Sequence, residues 1–540
     1  VLCNHDRYFN YSELTDFLKL LQKTYPDLVH LDSLGKSTEG REMWIATVTD
    51  WRVGTASDKP AFWVDGNTHA GEVAGCQACV HLLDVLTSDF TTNKEIQDIL
   101  KSLTFYVVPR ISVDGAEVFL TTAQWLRSSP QIWPHPERVE GLYTEDIDQN
   151  GEILSMRLED PAGDFKISRQ DPRLLIPREP TDFGAEAGPF YRLFPEGRFQ
   201  NYDGFTQILR TEQALDLNRQ SPAQFEPKEY GAGPIPQFLP EARQLAEAVV
   251  ARPNIFGAHT HHTFGGFLLR PSSLVADKDL PTFDLEIFQM LSQIGEKLTG
   301  YKAYGIFHDF RYDPKEVTTG SWDDWHYHHR GFFSFTPEIW SLPGQVGYTP
   351  GKPLEMYQYH SEELLVKILK WCDQNLAPQS FYQEWTRFHH PQLGPVEIGG
   401  WKRKFVWSNP PPHLLKTEVA KLTQFALAHA KFAPLVEKRA ATKKKISEAQ
   451  SELEVQVQNI GFLPTHVSDQ AKSLRNPLKP FVKLTLEGSL KLIQGKLWQE
   501  THHLTGRSTE LPYRTAIWGG SGTNSHMARF QWIVQGSGKA

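Results

Sequence analysis

Asp65-Gly-Asn-Thr-His-Ala-Gly-Glu-Val-Ala-Gly75 decides how the rest of the chain is read. It follows a short apolar run, Ala61-Phe-Trp-Val64, with the character of a buried strand. It leads into Glu72–Leu86, where Val73, Cys76, Val80, Leu83 and Leu86 recur on one side of a predicted helix. His69 and Glu72 therefore sit at a strand-to-helix turn, two residues apart. At that spacing an imidazole nitrogen and a carboxylate oxygen can converge on one point, and Gly66 and Gly71 leave room for a bent backbone. Such a pair suits zinc, and a catalytic zinc needs a third protein ligand and an open position. The pair alone is also what a surface ion pair looks like, so the downstream sequence has to decide.

Size and composition narrow the field. The 540 residues allow more than one domain around a large core. A hydrophobic fraction of 40% with 12% aromatics marks a globular chain rather than a disordered one. Net charge is −8 with a pI near 6.3, which argues against nucleic acid as the main partner. No apolar run has the length of a membrane span. The first residues lack the charged-then-apolar pattern of a signal peptide, and compartment stays open between cytoplasm and periplasm. Four cysteines (Cys3, Cys76, Cys79, Cys372) are not a disulfide framework, and Cys76 and Cys79 fit as small core residues of the helix.

Upstream, Tyr11–Tyr25 has helical periodicity, with Ser12 as the expected N-cap. Val29–Ser33 and Met43–Val48 are predicted strands around Gly35-Lys-Ser-Thr-Glu-Gly-Arg41, which lacks the earlier glycine of a phosphate loop. Glu95–Leu103 is a short predicted helix and Thr104–Val108 a strand. This alternation predicts an α/β fold with a mixed, largely parallel central sheet flanked by helices.

Residues 128–205 interrupt the rhythm and are expected to form a large insertion with hairpins. Within it, Asp146-Ile-Asp-Gln-Asn-Gly-Glu152 opens like a calcium loop. The closing position falls on Arg157, so a calcium ion would need another ligand such as Asp160 or Asp164, and a polar hairpin turn is the preferred reading. Regular elements resume with a weak strand before Leu215, a helix at Pro240–Ala251, a strand at Asn254–Ala258 and a helix at Phe283–Leu298. A strand, Gly331–Thr336, ends in Pro337-Glu338, and a long helix is expected over Leu354–Leu376. Three histidines, His259, His261 and His262, stand at the exit of the 254–258 strand, and nothing in their spacing separates them as candidate ligands. Pro and Trp cluster at 401–412, a helix is expected from Leu414 to about Lys438, and alternating stretches follow. The expected organisation is a catalytic domain over 1–395, a linker and helix over 396–440, and a small all-β, sandwich-like domain over 441–540.

Three separated stretches resemble the zinc metallocarboxypeptidases of the carboxypeptidase A and B type: His69-Ala-Gly-Glu72, Asp216-Leu-Asn-Arg219, and Asp324-Trp-His-Tyr327 followed by Phe335-Thr-Pro-Glu338. The resemblance covers roughly residues 5–375 and is strongest to bacterial members. It implies one catalytic zinc ion and a peptide substrate with a free C-terminus. It implies His69, Glu72 and a strand-end histidine nine residues before a proline as ligands; counting back from Pro271 gives His262. It implies Glu338 as the general base, Arg127 as the cation that faces the developing oxyanion, and Asn218 and Arg219 as the grip on the terminal carboxylate. Asp323 falls where the family has the floor of its side-chain pocket, which implies a preference for basic C-terminal residues. The family's capping tyrosine is expected about eight residues before Asp324, where Glu316 stands; Tyr312 is the candidate if the loop is longer. His326, His328 and His329 correspond to no ligand of the family. A murein peptidase, an amide deacylase and an inactive binding relative are the rival readings. Asn218-Arg219 with the Asp324 motif weighs against a deacylase, and Glu338 with a full ligand set weighs against an inactive relative.

Overall fold

In the computed structural model the described residues are 2–133, 141–184, 187–204, 214–313, 315–358, 360–474, 479–510 and 525–540. The weak strand expected before Leu215 lies outside them.

Eight strands form the main sheet: β1 (Val29–Lys36), β2 (Glu42–Val48), β3 (Ala61–Gly66), β4 (Thr104–Val108), β5 (Ile255–Thr263), β6 (Phe267–Arg270), β7 (Lys302–Gly305) and β8 (Phe333–Ile339). Their order is β1-β2-β4-β3-β5-β8-β6-β7. The central strands β4, β3, β5 and β8 are parallel to one another, and antiparallel pairs flank them at β1/β2, β2/β4 and β8/β6. Every residue of β3, β4, β5 and β8 is buried, as expected for strands covered on both faces. The covering helices are α1 (Tyr11–Thr24), α2 (Val73–Ser88), α3 (Lys94–Ser102), α4 (Val113–Thr121), α5 (Pro240–Val250), α6 (Thr282–Thr299), α7 (Glu362–Asn375) and α8 (Pro412–Ala430). The mixed α/β sheet expected from the alternation is present.

Three local readings change. Helix α1 is capped by Asn10, not Ser12: Asn10 Oδ1 accepts from Glu13 N at 2.9 Å while the Glu13 carboxylate accepts from Asn10 N, a reciprocal capping box. The long helix expected over 354–376 is broken. A short turn at Pro353–Tyr357 precedes α7, which starts where Ser361 caps Leu364 N and Glu362 and Glu363 favour the N-terminal dipole. The helix expected to reach Lys438 stops at Ala430, and Val436 begins a strand.

Helix α8 lies in the main core against α2 and α6, with Leu415, Val419, Leu422, Phe425 and Ala426 all buried. The insertion does form β structure. Strands Ser155–Glu159, Phe165–Ile167, Leu175–Pro177 and Phe190–Pro195 join Tyr382–His390 and Gly394–Trp401 in one six-stranded sheet, so segments more than two hundred residues apart close on each other. Position 395 thus falls inside a strand. Beyond it, Val436–Lys445, Gln450–Asn459, Lys491–Gln494 and Met527–Gln535 form a four-stranded sheet, and Phe481–Lys483 pairs with Trp498–Glu500. No helix among the described residues is long and apolar enough to cross a membrane.

Candidate active site

The carboxyl ends of β3, β5 and β8 meet at one edge of the sheet, the place where open α/β sheets hold ligands. Strand β3 delivers the turn with His69 and Glu72, β5 delivers His262, and β8 delivers Glu338, which pairs in register with His262. The turn is tight. A Cβ on Gly66 would stand 2.4 Å from the Gly75 carbonyl oxygen, and one on Gly75 would stand 2.6 Å from that of His261. Only glycine lets the first turn of α2 approach the strand ends this closely.

Nδ1 of His69 lies 2.8 Å from one oxygen of Glu72, and Nδ1 of His262 lies 2.8 Å from the other. The two ring nitrogens are 3.1 Å apart. Two nitrogen ligands of tetrahedral zinc, each about 2.0–2.1 Å from the ion, stand about 3.3 Å from each other. Donor types and spacing therefore fit zinc without a large rearrangement. His259 and His261 do not join this cluster: Nε2 of His259 meets Nδ1 of His429 at 3.1 Å inside the core. None of His326, His328 and His329 joins a metal-type cluster among the described residues, and His328 Nε2 contacts Ser272 Oγ at 2.8 Å.

Supporting contacts fix these side chains. Asp216 Oδ1 lies 3.2 Å from Nε2 of His69, and Asp216 Oδ2 accepts from Nε of Arg127 at 3.2 Å. Burial opposes ionisation of Glu72, yet His69 and His262 overcome it and bring its carboxyl down to about 2. Burial likewise opposes ionisation of Asp216, and His69 and Arg127 hold it well below the usual carboxylate range. Glu72 is the N-cap residue of α2, but its side chain caps nothing. Asn409 takes over that work from far along the chain. Its Oδ1 accepts from Ala74 N at 2.9 Å and its Nδ2 donates to Gly71 O at 2.8 Å.

Glu338 is buried, and its Oε2 has no hydrogen-bond partner among the described residues. Burial first, then the neighbouring Glu72, push its carboxyl well above the ordinary range. The Arg127 side chain is 42% exposed, and Nη1 comes to 3.9 Å from Glu72. Asn218 Oδ1 accepts from Trp322 N at 3.2 Å, and Arg219 donates from Nη1 to Asn218 O at 2.8 Å with Glu229 3.6 Å from its Nε. Asp323 is buried; its Oδ1 accepts from Asp324 N at 3.0 Å, and Thr336 Oγ1 stands 3.4 Å from its Oδ2. Asp324 is saturated by Ser273 N at 3.0 Å, Ser321 Oγ at 3.1 Å and Ser273 Oγ.

Tyr312 is 63% exposed, stacks edge-on to Phe310, and its hydroxyl feels the charges of Arg127, Arg219 and Glu338. The sequence reading missed Tyr357. Its hydroxyl donates to Phe264 O at 2.7 Å, its ring meets those of Phe264 and Phe310, and it feels the charges of Glu338 and Glu72.

The 146–152 loop takes a third carboxylate from Glu196, not from Asp160 or Asp164; Asp160 instead pairs with Arg192 at 2.7 Å. Glu196 accepts from Ile147 N at 2.8 Å and Leu154 N at 2.9 Å, and Asp146 accepts from Asn150 N and Gly151 N. These bonds account for the loop as a self-satisfied polar turn.

Residues 14–151 match the family model described as zinc carboxypeptidase, and residues 436–540 match a domain family of unknown function. Carboxypeptidase M of Mus musculus is 32% identical over 115 residues, covering 21% of this chain and 25% of the relative. Carboxypeptidase B of Astacus astacus is 31% identical over 122 residues, covering 22% and 38%. Carboxypeptidase D of Anas platyrhynchos is 31% identical over 111 residues, covering 21% and 8%. The chain therefore spans well under half the length of each of these relatives. Among solved structures, carboxypeptidase A from Helicoverpa armigera aligns with a TM-score of 0.44 at 15% identity, over 79% of this chain and 75% of that one. Residues 14–151, which carry His69 and Glu72, are thus similar to the zinc carboxypeptidases over about a quarter of the chain.

Proposed function

We propose that the chain hydrolyses the C-terminal peptide bond of peptides, with zinc held by His69, Glu72 and His262. The observation that carries this reading is the convergence of those three donors on the edge of the sheet where Glu338 is buried with its Oε2 unpartnered among the described residues. Zinc, when bound, supplies Lewis-acid polarisation of a carbonyl and a route to a nucleophile at neutral pH.

The remaining roles belong to the chain's own side chains. Glu338 takes a proton from the attacking water and returns it to the leaving amine; a carboxyl raised above its ordinary range is suited to both transfers. Arg127 keeps one edge on Asp216 and leaves the rest of its guanidinium free to face negative charge developing on the scissile carbonyl. Arg219 is oriented by Asn218 O and Glu229, so its planar donors are prearranged for a carboxylate. That grip on the terminal carboxylate makes the reaction an exopeptidase one. Tyr312 and Tyr357 close the outer side of the site over the bound C-terminal residue, and Asp323 forms the floor of its side-chain pocket.

The test compares one peptide with a free C-terminal carboxylate against the same peptide amidated there, in zinc-loaded and zinc-stripped protein. Cleavage of the free acid alone, lost on chelation and regained with zinc, is expected. Equal cleavage of both peptides would overturn the exopeptidase reading.

A further inference from the structure

Outside the active site, one other group of described residues brings together metal donors of mixed chemistry. It lies at the opposite end of α2 from Glu72. Nε2 of His5 is 2.9 Å from Oδ2 of Asp84 and 3.5 Å from Sγ of Cys3, and the three ligand atoms lie within 4.8 Å of one another. His5 and Asp84 are each 3% exposed. Asp84 is on α2, whereas Cys3 and His5 precede α1 and contribute no other regular element.

A buried His5–Asp84 pair is the simplest account of two of these residues. It gives the third no part in the pair: Cys3 Sγ stands beside the same ring, 3.3 Å from Nδ1 and 3.5 Å from Nε2. The spacing suits an ion between them. With Zn–S of about 2.3 Å and Zn–N of about 2.0–2.1 Å, tetrahedral geometry separates sulfur and nitrogen by about 3.6 Å. The charges suit it as well. A thiolate, a neutral imidazole and a carboxylate together carry two negative charges, so a divalent ion leaves a neutral group that can be buried without a stranded charge. The orienting contacts are in place: Leu2 N donates to Asp84 Oδ1 at 3.0 Å, turning Oδ2 toward His5. His5 holds φ at 56°, an uncommon backbone angle for a residue other than glycine. His81, one turn before Asp84, packs its ring tilted against that of His5 at 4.8 Å and sets its Nδ1 against Thr423 Oγ1 at 2.7 Å.

We propose that Cys3, His5 and Asp84 form a second, structural site for a zinc-class divalent ion. It fastens the segment ahead of α1 to the helix that carries Glu72 at its other end. The site has a thiolate ligand and the active site has none, so the two can be told apart by spectrum as well as by count.

The experiment uses the full chain, stripped and reloaded with zinc or with cobalt(II). Two zinc ions per chain are expected in the wild type and one in Cys3→Ser and in Asp84→Asn. One is also expected in His262→Ala, where the active-site ion is the one lost. In the cobalt protein, a thiolate-to-metal charge-transfer band in the near ultraviolet should persist in His262→Ala and vanish in Cys3→Ser. Should the Cys3 or Asp84 variants fail to fold, the wild-type cobalt spectrum decides alone. Absence of that band in a cobalt-loaded wild type, or a single zinc lost on changing His262 and kept on changing Cys3, would overturn the second site while leaving the first intact.

Discussion

Oδ1 of Asp216 lies 3.2 Å from Nε2 of His69, while Nδ1 of the same ring lies 2.8 Å from Glu72. The two contacts are on opposite nitrogens, so the negative charge of Asp216 favours the proton on Nε2 and leaves Nδ1 to bind. A carboxylate behind a histidine ligand raises its basicity and orients its ring. Asp216→Asn keeps the shape and removes the charge. We expect zinc affinity to fall by about 10–100-fold. Competition against a chelator of known affinity reads the change directly, and an unchanged dissociation constant would remove Asp216 from the metal's support.

Asn409 gives the second prediction. Glu72 stands where a capping side chain would normally satisfy the first amides of α2, but its carboxylate faces the two histidines instead. Asn409 meets Ala74 N and Gly71 O in its place. Asn409→Ala strands a buried donor and a buried acceptor at once. A lost cap costs about 0.5–2 kcal/mol, and this one should lie near the upper end. Chemical denaturation of the zinc-free protein measures it without interference from the metal.

These two residues also show what could and could not be read from the sequence. His69 and Glu72 were legible because they lie in one turn, where spacing alone sets their convergence. The parallel strands β3, β5 and β8 were legible as apolar runs ending in polar residues. His262 could not be separated from His259 and His261 on spacing, since all three leave the same strand; only the count to Pro271 chose between them. Asn409 and Tyr357 gave no local signal. Asn409 acts 335 residues from its partner. Tyr357 lies in a stretch whose apolar pattern runs on across the break before Ser361. The pairing of the insertion with Tyr382–Trp401 was hidden for the same reason, because strand partners at long range leave no trace in either segment.

Glu338 gives the third prediction. Among the described residues its Oε2 has no partner and it belongs to none of the donor groups, so removing its charge should spare the metal. Glu338→Gln is expected to keep zinc content and substrate affinity. It should lose turnover by at least about 10²–10⁴-fold, the usual worth of a general base. Metal content and kcat measured on the same preparation separate the two effects. A variant with near-normal kcat would require another base.

The last prediction concerns Asp323 and the choice of C-terminal residue. The carboxylate does not face solvent: Asp323 is 6% exposed, and Thr336 stands 3.4 Å from its Oδ2. Thr336 and Glu338 are two apart on β8, so their side chains share a face about 7 Å apart along the strand, with Asp323 beside Thr336. Asp324 N occupies Oδ1, and among the described residues only the long Thr336 contact reaches Oδ2, which leaves Oδ2 open to a cation. A buried carboxylate is costly unless a cation arrives to pair with it, and a Lys or Arg side chain supplies one where Phe or Leu would strand the charge. Breaking a buried charge pair costs about 2–5 kcal/mol, so discrimination should reach orders of magnitude in kcat/KM. The measurement is kcat/KM for matched peptides ending in Lys, Arg, Phe, Leu and Glu, in the wild type and in Asp323→Ala. The basic peptides should lead in the wild type and lose that lead in the variant. Cleavage of the Phe and Leu peptides as fast as the Lys and Arg ones, unchanged in Asp323→Ala, would place the pocket floor on another residue.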